Sequence, residues 1–157
     1  MGVPESAKEK TDRQLIELLN EVRVALPGAQ VLLAFLLTAP FQARFAGTTD
    51  LVRSVLFAGV LLTAVGVVLL MAPSVYHRIR WNEGGKEDVI RVGHKLFLAG
   101  TGFLALGMLC AVFVVAAFLS DVAAAVIVVA VLIALVVATW YALPMRRGRD
   151  PRIRGSE

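Results

Sequence analysis

The chain has 157 residues, 58% of them hydrophobic and 18% charged, with a formal net charge of +4 and a mean hydropathy of +0.76. It is more apolar than an ordinary soluble domain, and its charges are bunched rather than dispersed, which excludes a typical soluble globular protein. The high pI, near 9.7, does not indicate nucleic acid, because the basic residues flank apolar runs, where membrane topology accounts for them.

Residues 1–10 read as a disordered start. A helical pattern begins near Thr11 or Asp12, with Leu15, Leu18, Leu19 and Val22 on one face and Arg13, Glu17, Asn20 and Glu21 on the other. The pattern predicts an amphipathic cytoplasmic helix. It leads into "NEVRVALPGAQ", where Pro27 and Gly28 interrupt the helix just before Gln30. Pro27 has no N–H, so carbonyls near residues 23 and 24 lose their helical donor. The expectation is a kinked but continuous helix entering a membrane.

Four runs without a charged residue follow, at about 24–43, 54–76, 96–120 and 122–145. Each is long enough to cross a hydrocarbon core of roughly 30 Å at about 1.5 Å per residue. The first run starts too late and is too long for a cleaved signal peptide, so the whole chain is read as mature protein. Residues 11–145 are read as one transmembrane domain and residues 146–157 as a basic, disordered tail.

Gln30, Ala34 and Thr38 are spaced by four in the first run. This weakly polar stripe either faces a bundle interior or lines a water-filled path. Between the first two runs, Thr48, Thr49 or Asp50 can cap the second helix, and Asp121 can cap the fourth. The second run has Gly59, Thr63 and Gly66; the third stripe is Gly93, Gly100 and Gly107; the fourth has Ala130, Ala134 and Ala138. Small residues at helical spacing let backbones approach, either inside one bundle or between copies in a homo-oligomer. After the Gly84-Gly85 break, residues 86–95 can extend the third helix below the membrane and meet the amphipathic helix, with Glu17 and Glu21 opposite Arg91 and Lys95.

Lys and Arg gather in the N-terminal segment (Lys8, Lys10, Arg13, Arg23), the middle connection (Arg78, Arg80, Lys86, Arg91, Lys95) and the tail (Arg146, Arg147, Arg149, Arg152, Arg154). The other two connections hold only Arg44 and Arg53. The excess of positive charge marks the inner side, so both termini and the middle loop are expected in the cytoplasm and the protein in the inner (plasma) membrane. An even number of spans requires the termini to share a side. Short connections then give an all-α, up-down-up-down bundle of four transmembrane helices.

Chemistry-bearing residues are few. No run holds Asp, Glu, Lys, Arg or His near its middle, whereas proton-coupled transporters usually keep such a group at membrane depth. Paired carboxylates, nucleophile–base spacings and metal-ligand clusters are missing too, so the sequence indicates no enzyme, cofactor or metal. The single cysteine, Cys110, reads as a small packing residue. His77 and His94 fall at the inner ends of the second and third runs. They either anchor the helix ends beside Tyr76, Arg78 and Trp81, or meet as a pH-sensitive or metal-ligating pair, or, with Tyr76 and Arg78, hold a lipid phosphate.

The segments "ELLNEVRVALPGAQVLLAFLLTAPF" and "MAPSVYHRIR" resemble a family of small, uncharacterised four-span membrane proteins common in actinobacteria. The resemblance covers residues 15–141. Some members are automatically labelled sodium:proton antiporters. The resemblance implies the four-span topology and supplies no catalytic residues.

Two functions are consistent with these features. One is an oligomeric ion channel or transporter-like protein, with a path along the first span and Glu17, Glu21, Arg23, Pro27, Gln30 and Thr38 as lining or gating residues. The other is a non-transporting scaffold or regulator that binds anionic lipid headgroups or a protein partner through its basic cytoplasmic face, including His77, Arg78 and His94.

Overall fold

The computed structural model describes residues 7–79 and 86–142. They form helices α1 (Ala7–Thr38), α2 (Asp50–Ile79), α3 (Lys86–Leu119) and α4 (Val122–Val137). All four are long and apolar enough to cross a membrane, compatible with a multi-pass membrane protein. The expectations for residues 1–6, the Gly-Gly break and the basic tail lie outside the described residues.

α1 is one uninterrupted helix of 32 residues with Pro27 inside it. It begins at Ala7, a turn before the amphipathic pattern at Thr11, because Ala, Lys and Glu extend a helix without needing an apolar face. Its α-helical part ends at Thr38, short of the apolar run's end. Pro40 disfavours α conformation at the residue before it, and the chain tightens into 3-10 turns at Ala39–Phe41 and Ala43–Gly47.

The connection to α2 is tied by its own hydrogen bonds. The Thr48 hydroxyl donates to the Phe45 carbonyl at 2.7 Å, and Arg53 reaches back to the Ala46 carbonyl at 2.9 Å. Thr49 is the residue that caps α2, accepting from the Val52 N–H at 3.4 Å.

Contacts divide the chain into two compact units, the first ending at Cys110 and the second starting at Ala111, so α3 runs through the division. In the first unit α1 buries Leu15, Val22, Ala29 and Leu36, seven residues apart, together with Leu18. α2 buries Val52, Leu56, Gly59, Thr63, Gly66, Leu70 and Pro73, alternating steps of four and three. That 3.5-residue period is the pattern of left-handed helix packing.

The α2–α3 seam is built from small residues. A side chain begun at Gly66 would lie 3.1 Å from the Gly100 carbonyl oxygen, and one begun at Gly100 equally close to that of Gly66. The two backbones therefore touch, which removing the Cβ from both helices permits. The seam continues from Gly59 beside Cys110, through Thr63 on Gly107, to Pro73 beside Gly93. Rising numbers on α2 meet falling numbers on α3, so the two helices are antiparallel here. Leu36 packs on Gly59, and Leu18 packs on Gly93 beside Pro73, which orders α1 against the same two levels.

In the second unit Ala111, Val114 and Ala125 are buried. Asp121 caps α4, accepting from the Ala124 N–H at 2.8 Å. Ala130, Ala134 and Ala138 are not buried. α4 ends earlier than the apolar run and widens into a π turn at Ala138–Ala142. The Thr139 hydroxyl donates to the carbonyls of Leu135 and Val136, competing for the acceptors that a continuing α-helix would use.

Candidate functional site

The candidate residues of α1 fall on two different flanks. Glu17 and Glu21 are one turn apart and share a side. Arg23 follows Glu21 by two positions, about 200° round the helix, and begins a separate row with Pro27, Gln30, Ala34 and Thr38. All of these residues are exposed. The structure thus does not gather the six expected lining residues into one mouth. It brings together Arg23, Pro27, Gln30 and Thr38, and sets Glu17 and Glu21 apart.

Glu17 pairs with Arg13 on its own helix at 3.4 Å, and both side chains are more than half exposed, so the pair adds little to stability, about 0–1 kcal/mol. At this end of α1 Leu18 packs on Gly93 of α3. The N-terminal residues from Ala7 thus belong to α1, with Leu15, Leu18 and Val22 buried.

The Gln30 side chain makes no hydrogen bond among the described residues. The two contacts of α1 fix its level. Leu18 is level with Pro73 and Gly93, and Leu36 with Gly59. Gln30 lies roughly two-thirds of the way between them, which puts it level with residues 63–66 of α2. Sequence spacing put Gln30 just inside the first span; packing carries it toward the middle of its neighbours. The Thr38 hydroxyl donates to the Phe35 carbonyl at 2.9 Å, within its own helix.

Thr63 lies at that same depth and is fully buried, with its hydroxyl unpaired among the described residues. Its oxygen occupies the place where a side chain at Gly107 would start. This is a Cα–H···O type of contact, common where helices cross closely. Thr63 was legible only as one small residue among several, since nothing in the local pattern marks its partner.

Arg78 and His94 are exposed on α2 and α3, as are Arg91 and Lys95. The His77 side chain lies outside the described residues. Among the described residues no group of three or more His, Cys, Asp or Glu side chains is placed to hold a metal ion.

Residues 4–144 match the family described as "Family of unknown function (DUF6328)". The chain belongs to the DUF6328 family. No curated protein and no solved structure matches it. Two features of this DUF6328 chain stand out, an exposed Gln30 amide on α1 with no hydrogen bond among the described residues and the close-packed seam of α2 and α3.

Proposed function

We propose that this DUF6328 protein is a four-span, up-down-up-down bundle of the inner membrane, with both termini in the cytoplasm. We further propose that it works as an oligomeric ion channel or transporter-like protein with a path along α1. The observation that carries this reading is Gln30, exposed and unpaired among the described residues at the level of Thr63. An amide in hydrocarbon lacks the hydrogen bonds that water or protein supplies, and such groups usually face a cavity or another helix. Arg23 and Thr38 extend the polar face toward either end. The orientation is supported by the concentration of Lys and Arg in the N-terminal segment, middle connection and tail. The four apolar runs hold no Asp, Glu, Lys, Arg or His near their middle, which argues against sodium:proton antiport. Ion flux into liposomes containing the purified protein tests the proposal. Flux above that of empty vesicles is expected, reduced by Gln30→Leu. Flux no greater than that of empty vesicles across pH and voltage would sink it.

A second reading, a scaffold or regulator that does not transport, is favoured by a different observation. Arg78, Arg91, His94 and Lys95 are all exposed near the level where Pro73 meets Gly93, and basic residues at one depth attract anionic headgroups. Native mass spectrometry of the detergent-extracted protein separates the two. Retained anionic lipid, lost with Arg91→Gln and Lys95→Gln, together with absent flux, selects the scaffold.

A further inference from the structure

We draw no further inference here: the strongest candidate, the exposed basic patch of Arg91, His94 and Lys95 on α3, belongs to the headgroup-binding face already proposed, and nothing in the structure shows whether lipid or protein covers it.

Discussion

Leu18 of α1 fills the notch that Gly93 leaves on α3: its Cδ2 lies 2.8 Å from where a side chain at Gly93 would begin. Leu18 is 2% exposed, and Pro73 of α2 closes the other side. Three helices thus meet at one point. Leu18→Ala should destabilise the protein by about 2–5 kcal/mol, the range for emptying a packed leucine site. Ile16→Ala, two positions away and exposed, should stay within about 0.5 kcal/mol. Unfolding in mixed detergent, with hydrogen exchange over residues 11–22, checks both. Gly93→Ala should be milder than Leu18→Ala, since the atom in its way is the movable end of a leucine.

The Thr63–Gly107 contact has no such freedom. A side chain at Gly107 would meet the Thr63 hydroxyl and also lie 3.3 Å from its Cβ and backbone nitrogen. Gly107→Ala should cost about 1–3 kcal/mol by forcing the seam apart. Gly102→Ala, with open space around it, should be neutral or stabilise by up to about 1 kcal/mol through helix propensity. Adding Thr63→Ala to Gly107→Ala should recover about 0.5–3 kcal/mol relative to the sum of the single variants. Additive losses would show that the two residues do not meet.

The α4 cap is a single hydrogen bond from the Ala124 N–H to Asp121. Asp121→Ala should lower stability by about 0.5–2 kcal/mol, and Asp121→Asn by less, because the asparagine oxygen still accepts. Equal losses from the two variants in detergent unfolding would count against the cap.

Arg53 links the start of α2 to the Ala46 carbonyl and to Asp50, the latter at 3.4 Å. Both groups of the ion pair are well exposed, so Arg53→Met should change global stability by no more than about 1 kcal/mol. Its effect should be local, as faster hydrogen exchange over residues 43–48. Unchanged exchange there would mean that the arginine does not hold the connection.

The four apolar helices were legible because a charge-free run of spanning length is rare outside a membrane helix. The Asp121 cap and the extension of α3 from Lys86 were legible too, where local chemistry suffices. The stripe of Gly93, Gly100 and Gly107 was legible as a face, and its partner was not. Lipid tails and leucine are equally apolar, so hydropathy cannot tell an inward face from an outward one. For the same reason Ala130, Ala134 and Ala138, a similar stripe in sequence, stay unburied in the structure. The depth of Gln30 depends on how α1 slides against α2 and α3, which only the contacts of Leu18 and Leu36 fix.

Because α1 is unbroken from Ala7 to Thr38, its charged beginning and its polar mid-section belong to one lever about 48 Å long. No loop stands between Glu17 and Gln30 to absorb a displacement. A partner or charge that tilts or turns the Arg13–Glu17 end must also re-aim the Gln30 amide. Leu18, seated against Gly93 and Pro73, lies close to that end and is placed to act as the fulcrum.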